Sequence, residues 1–179
     1  MENKWEIIDH IFKFRVGDSD EKGGCTFIGG EWKDVTSKEL FAGKKIVLFS
    51  LPGAFTPTCS GQQLPYYDEL YQKFIDKGID DVYCISVNDA FVMNAWARDL
   101  GIKNVKMIPD GDGMFTISMG MLVNKPKQGF GMRSWRYSAL INDGVVEKFN
   151  EEPGINNFSS DDDPYEVSDP KTMLESLDK

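Results

Sequence analysis

The chain has 179 residues and a formal net charge of −9, enough length for one domain with a full hydrophobic core and short for two. The acidic balance excludes the basic surface that nucleic-acid phosphates or anionic membranes require. The N-terminus, Met1-Glu2-Asn3-Lys4-Trp5-Glu6, lacks a basic stretch followed by an apolar one, and no run approaches the ~20 apolar residues of a membrane span, so a cytoplasmic location is expected.

A poorly patterned N-terminal arm carries His10, the only histidine. Residues 11–36 place Gly23-Gly24 and Gly29-Gly30 around short apolar pieces, which predicts a hairpin or irregular strands. Residues 45–51 are a nearly continuous apolar run and read as a central strand. Leu64, Tyr67, Tyr71 and Phe74 then recur at three- and four-residue spacing, predicting a helix to about Lys77 that Gly78 ends. Pro65 removes the hydrogen bond to the Gly61 carbonyl, so a kink is expected one or two turns past Cys59. Residues 81–87 form a second buried strand, and Asn88 or Asp89 caps a helix with Val92, Ala95 and Trp96 inward and Gly101 past its end. Residues 105–108 read as a third strand closed by Pro109-Asp110-Gly111, and residues 113–122 as a short helix. Residues 134–141 and 145–149, joined at Asn142-Asp143-Gly144, give the strongest hairpin signal. A helix over 172–177 closes the chain. With no repeat or linker, residues 1–179 read as a single domain. The order fits an α/β thioredoxin-like fold, a central mixed sheet flanked by helices with an N-terminal hairpin extension.

The three cysteines, Cys25, Cys59 and Cys84, include no CxxC pair. An odd count suits neither a disulfide framework nor a zinc site and points to a reducing compartment. Cys84 sits mid-strand, where cysteine acts as a small apolar residue, and Cys25 follows two glycines in a loop-like stretch. Cys59 differs. It lies where a strand ends and a helix begins, at the positive end of a helix dipole that favours thiolate over thiol. Pro52 and Pro57 stiffen the approach, Gly53 permits unusual backbone, and Thr56 lies one turn before the sulfur. A Cys–His hydrolase would need His10 to meet Cys59 in space, and nothing in the N-terminal arm brings it there.

The stretch Pro52-Gly53-Ala54-Phe55-Thr56-Pro57-Thr58-Cys59 resembles the Pro-x-x-x-Thr-x-x-Cys signature of peroxiredoxins, and with Ser60 that of their type II (peroxiredoxin-five-like) subgroup. Ser86-Val87-Asn88-Asp89-Ala90-Phe91-Val92 and Arg133-Ser134-Trp135-Arg136-Tyr137-Ser138 extend the likeness from about Trp32 to Pro153. The resemblance implies a peroxidatic Cys59 that becomes sulfenic acid and a Thr56 hydroxyl contacting both sulfur and peroxide. It also implies that Pro52 shields the sulfur from bulk water and that Arg136 holds the thiolate and polarises the O–O bond, with Arg133 as rival for that role and surface ion pairing as its alternative. It implies hydrogen peroxide and small alkyl hydroperoxides as substrates and a homodimer formed through the loops around the site. Phe55 and Phe130 either favour organic peroxides or pack a core or interface.

Chemistry explains why such a set is needed. A thiol with pKa near 8.5 is only a few per cent ionised at pH 7, so full ionisation gains at most roughly 30-fold, about 2 kcal/mol. Lowering the pKa also weakens the sulfur as a nucleophile. Charge stabilisation as the O–O bond breaks must supply the rest. The chain lacks the resolving cysteine that some members of the subgroup carry after the last hairpin, so a one-cysteine route is expected. The external reductant is then glutathione, with or without glutaredoxin, and thioredoxin is the rival. Asp161-Asp162-Asp163 and Asp110-Gly111-Asp112-Gly113 lack calcium-loop spacing and read as solvated loops, and neither a metal nor a cofactor is expected. A non-enzymatic thiol sensor or thioredoxin-fold interaction module is the competing class. It has no use for the intact Pro52, Thr56 and Arg136, and a glutathione peroxidase lacks its expected Gln and Trp motifs.

Overall fold

The computed structural model describes residues 4–19, 28–156 and 162–178. A two-residue strand, β1 (Trp5–Glu6), arises in the arm that showed no pattern. The hairpin expected over residues 11–36 is present as β2 (Ile11–Ser19) and β3 (Ile28–Thr36), antiparallel from Ile11↔Thr36 onward. Its tip, with Cys25, lies outside the described residues. A short helix, α1 (Ser37–Phe41), starts at a capping box in which Thr36 Oγ1 accepts from Glu39 N–H and the Glu39 carboxylate accepts from Thr36 N–H.

The apolar run becomes β4 (Lys45–Ser50). After it the sequence predicts one kinked helix, and the chain instead forms three pieces. Cys59–Gln63 is a π-helical turn in which Leu64 N–H donates to Cys59 O. It is followed by α2 (Leu64–Glu69), a break at Leu70 and α3 (Tyr71–Asp76). Pro65 has no N–H for the Gly61 carbonyl, and the widened turn absorbs that missing bond. The break at Leu70 has no glycine or proline to announce it. Beyond Gly78 (φ 81°) come β5 (Asp81–Ser86), α4 (Ala90–Asp99) capped by Asp89, β6 (Lys106–Pro109) and α5 (Met114–Ser118).

Residues 134–141 do not form one strand as expected. The chain makes a small hairpin of β7 (Leu122–Lys125) and β8 (Gly131–Ser134), then starts β9 (Tyr137–Asn142) after Trp135 and Arg136 leave the ladder. Trp135 N–H donates instead to Met121 O. The strand β10 (Val145–Glu151) pairs back onto β9 through a two-residue turn at Asp143 (φ 50°) and Gly144 (φ 77°), the left-handed pair a tight hairpin requires. The last helix is α6 (Pro170–Ser176).

Six strands form a mixed sheet in the order β1-β10-β9-β4-β5-β6, with β4, β5 and β6 parallel and the remaining pairs antiparallel. Alternation along the central strands builds a core on each side. Val47, Phe49, Val82 and Cys84 pack with α2, α3, α4 and α6, while Ile46, Leu48, Tyr83 and Ile85 pack with Phe12, Phe41 and Phe115. This is the thioredoxin-like layout with an N-terminal hairpin that the element order predicts. Phe49 stacks on Tyr67 at 3.9 Å between ring centroids, seating α2, and the turn that carries Cys59, over the end of β4. Phe49→Ala would cost about 3–5 kcal/mol through lost burial and the cavity left behind. Among the described residues, no helix is long and apolar enough to cross a membrane.

Candidate active site

The Pro52–Cys59 loop hangs from the C-terminal end of β4. Its Ala54 N–H donates to Asn88 Oδ1 at 3.0 Å, and Asn88 Oδ1 also accepts from Ser86 Oγ at 2.8 Å, so the end of β5 holds the loop. Phe55 takes φ 61°, a left-handed conformation costly for a bulky residue. Helical geometry begins immediately afterwards, with Ser60 N–H donating to Thr56 O at 2.9 Å. Trp96 Nε1 donates to Ser60 Oγ at 3.0 Å, fixing the residue after Cys59 to α4.

Cys59 and Pro52 are buried, and Thr56 is half-buried. The Thr56 hydroxyl was expected to meet the sulfur. It donates instead to Gly53 O at 2.7 Å, closing the loop on itself. Its proton is therefore committed, and its lone pairs can accept from an incoming O–H.

Arg136 reaches Cys59 from the break between β8 and β9. It is only 1% exposed, and its Nη1 lies 3.6 Å from Cys59 Sγ. The same nitrogen donates to Gln63 Oε1, Nη2 pairs with the Asp163 carboxylate, and Nε donates to Pro164 O at 3.0 Å. The Tyr165 ring stands 5.5 Å from the guanidinium carbon. Burial works against the charge on Arg136, but the Cys59 sulfur and the Asp163 carboxylate outweigh it, and its pKa is raised from the ordinary arginine value. Among the described residues, four of its five N–H donors are used in these bonds, which leaves one on Nη2.

Sequence reasoning found Cys59, Thr56, Pro52 and Arg136, and the structure brings all four to one end of the sheet. It missed Gln63 and Asp163. Gln63 lies one turn after Cys59 on a helix whose pitch the pattern could not give. Asp163 belongs to a run that reads as a solvated loop, and it does lie in an exposed loop, yet its carboxylate pairs with Arg136, and Asp162 O accepts from Lys125 Nζ at 2.6 Å. Asp161 lies outside the described residues.

The Asp110 loop departs from the solvated-loop reading at its first residue. Asp110 is buried, and its carboxylate accepts from Phe115 N–H, Thr116 N–H and Thr116 Oγ1. His10 Nε2 stands 3.9 Å from Asp110, and the His10 ring packs edge-on against Phe12. Phe12 and Phe115, against which the His10 ring packs, belong to the core on the opposite sheet face from Cys59, so His10 is no partner for the thiol. Among the described residues, Arg133 makes no ion pair. It donates to Val87 O at 2.8 Å and Phe130 O at 3.1 Å, bracing the loops around the site without touching the sulfur. Burial pushes the Cys84 thiol well above its ordinary pKa, with a smaller contribution from Cys59.

A buried cysteine facing a buried arginine beside a rigid Pro-x-x-x-Thr-x-x-Cys loop has counterparts among known proteins. The redoxin family model matches residues 25–166, and a peroxiredoxin of Rhizobium etli is 54% identical over 177 residues, covering 99% of this chain and 96% of that one. The chain belongs to the peroxiredoxin family. This peroxiredoxin also superposes on solved members. The Plasmodium falciparum antioxidant protein, described as a 1-Cys peroxiredoxin, matches with a TM-score of 0.86 at 37% identity over 97% of both chains. A reduced peroxiredoxin of Vibrio vulnificus in complex with hydrogen peroxide matches with a TM-score of 0.79 at 35% identity, over 97% of this chain and 96% of the other. Membership makes the protein an enzyme acting on peroxides, a thiol-dependent peroxidase.

Proposed function

We propose that Cys59 is the peroxidatic cysteine of a one-cysteine, type II-like peroxiredoxin that reduces hydrogen peroxide and small alkyl hydroperoxides. The observation that carries this reading is the placement of the Arg136 guanidinium 3.6 Å from a fully buried sulfur. There it stabilises negative charge on sulfur and on the departing oxygen in a site closed to water. The Cys59 thiolate attacks one peroxide oxygen, an S–O bond forms as O–O breaks, and the leaving oxygen departs as water or alcohol after taking a proton. Sulfur is oxidised by two electrons to sulfenic acid. Thr56, its own proton held by Gly53 O, accepts from the peroxide O–H and orients it, and the free Nη2–H of Arg136 meets the leaving oxygen. Pro52 covers the sulfur.

Regeneration consumes two outside thiols. The first displaces water from the sulfenic acid to give a mixed disulfide, and the second releases Cys59. Glutathione with glutaredoxin is the reductant favoured here, and thioredoxin is the alternative. Cys84 is unsuited to resolution because burial keeps its thiol protonated, hence weakly nucleophilic. A reductant is larger than a peroxide and the sulfur is buried, so the turn Cys59–Gln63 must open for each reduction. A π-helical turn, poorer in hydrogen-bond geometry than an α-helix, is suited to opening.

The free thiols Cys59 and Cys84 fit a reducing compartment, the cytoplasm. A homodimer through the loops around the site is supported by Phe55, which stays 55% exposed in its left-handed conformation, and by Met132, 51% exposed beside Arg133. Purified protein should consume hydrogen peroxide with glutathione plus glutaredoxin, and Cys59→Ser should abolish turnover. Equal turnover in that variant would sink the assignment, and faster turnover with thioredoxin would replace the proposed reductant.

A further inference from the structure

Residues 166–168, ahead of α6, are held to the body of the protein by a buried carboxylate. Glu152 is fully buried. Its Oε1 accepts from the backbone N–H groups of Glu166 (2.9 Å), Val167 (3.0 Å) and Ser168 (2.8 Å) and from Ser168 Oγ (2.7 Å), and Oε2 shares the Glu166 N–H. Burying an anion is costly, and converging uncharged donors of this kind offset the cost. The Ser168 carbonyl in turn accepts from Tyr67 Oη at 2.7 Å, tying the same segment to α2.

The three residues preceding this anchor, Asp163, Pro164 and Tyr165, are those that grip the Arg136 guanidinium. The main chain of Glu152 faces the other way. Its N–H donates to Arg136 O at 3.1 Å, and its carbonyl accepts from Trp135 Nε1 at 2.8 Å. One residue therefore fixes both the backbone of Arg136 and the strap that holds its side chain. We propose that Glu152 is a positioning residue for peroxide reduction: its carboxylate locks residues 163–168 so that Asp163 and Pro164 hold Arg136 against Cys59. The proposal rests on the assignment of Cys59 and Arg136 above. It goes beyond that assignment by placing control of the arginine in a residue that touches neither sulfur nor peroxide.

A purely structural Glu152 and a positioning Glu152 differ in chemistry. Attack on peroxide needs the guanidinium at the breaking O–O bond, whereas alkylation of Cys59 by iodoacetamide, run at an alkaline pH where the thiolate forms without help from Arg136, needs only a reachable sulfur. Positioning errors of about 1 Å cost up to 10²-fold, so Glu152→Ala should lower the second-order rate constant for hydrogen peroxide on the order of 10-fold or more. Its alkylation rate should change less than about threefold by the same reasoning. Glu152→Gln keeps an amide oxygen for the Val167 and Ser168 donors and should stay within about threefold of wild type for peroxide. Ser168→Ala removes a single donor and serves if Glu152→Ala does not fold. It should give a smaller loss, again confined to peroxide. Equal loss in peroxide and alkylation rates, or a folded Glu152→Ala or Ser168→Ala protein with the wild-type peroxide rate, overturns the proposal. Arg136→Ala run in parallel separates the two failures. If it loses peroxide reactivity while a folded Glu152→Ala does not, only the positioning role fails; if it keeps reactivity, the assignment beneath it fails.

Discussion

Removing the guanidinium of Arg136 is the perturbation with the largest calculable effect. Two unit charges 3.6 Å apart interact by roughly 4–5 kcal/mol at an effective dielectric constant near 20. Only the part that strengthens between ground state and transition state accelerates the reaction. Some of the attraction is already felt by the thiolate, and the remainder acts on charge moving to the departing oxygen. Losing an oriented donor to such an oxygen costs about 3–4 kcal/mol in comparable sites. Arg136→Ala should therefore lower the second-order rate constant for hydrogen peroxide on the order of 10²-fold. Arg136→Lys, which keeps the charge but cannot engage Cys59, Gln63, Asp163 and Pro164 at once, should fall in between. Arg136→Ala also strips Gln63 Oε1 of its partner in a place where, among the described residues, Gln63 Nε2 already has none, a loss of about 1–3 kcal/mol in stability. Asp163, 39% exposed, can turn to water. Stopped-flow tryptophan fluorescence after mixing with peroxide measures the rate, and circular dichroism checks the fold. A folded Arg136→Ala protein reacting within threefold of wild type would refute the reasoning.

Other consequences are as concrete. Thr56→Val removes the proposed peroxide acceptor and the bond to Gly53 O, and should slow the peroxide step at least about 10-fold while Thr56→Ser stays near wild type; the same stopped-flow assay decides it. Burial, with Asp81 nearby, raises Tyr83 from 10.0 to about 12. Its folded pKa therefore exceeds the unfolded one, and the stability it contributes is complete below pH 10 and lost as pH rises through about 12. Urea unfolding across that range should steepen accordingly, and Tyr83→Phe should flatten the decline; an unchanged slope contradicts it. If Phe55 lies in a homodimer interface, Phe55→Glu should convert a two-chain mass to a one-chain mass in sedimentation equilibrium, and identical masses for both proteins would remove Phe55 from any interface.

The parts of the site legible in the sequence are those whose signal is local. Pro52, Thr56 and Cys59 share one loop, so their spacing exposed them, and Arg136 was reached only through the resemblance that residues 133–138 carry. Gln63 and Asp163 meet Arg136 across 73 and 27 residues of chain, and no period in hydrophobicity encodes those meetings. Asp110 read as part of a solvated loop and nothing singled out Glu152, because burial of a carboxylate depends on backbone donors brought from elsewhere. The fold divides in the same way. The central strands and the Asp143-Gly144 turn followed from apolar runs and left-handed turn residues. The π turn at Cys59–Gln63, the break at Leu70 and the departure of Trp135 and Arg136 from the ladder arise from packing. At that last break the chain carries its arginine to the sulfur.

The central claim is that peroxide oxidises Cys59 and that an outside thiol, not another cysteine of the chain, resolves it. Mass spectrometry of the protein after one equivalent of hydrogen peroxide, with and without glutathione, tests this directly. The expected result is a sulfenic acid on Cys59, trapped with a dione reagent, that glutathione converts to a single adduct on the same residue. A Cys59–Cys84 disulfide, or oxidation confined to Cys84 or Cys25, would contradict it.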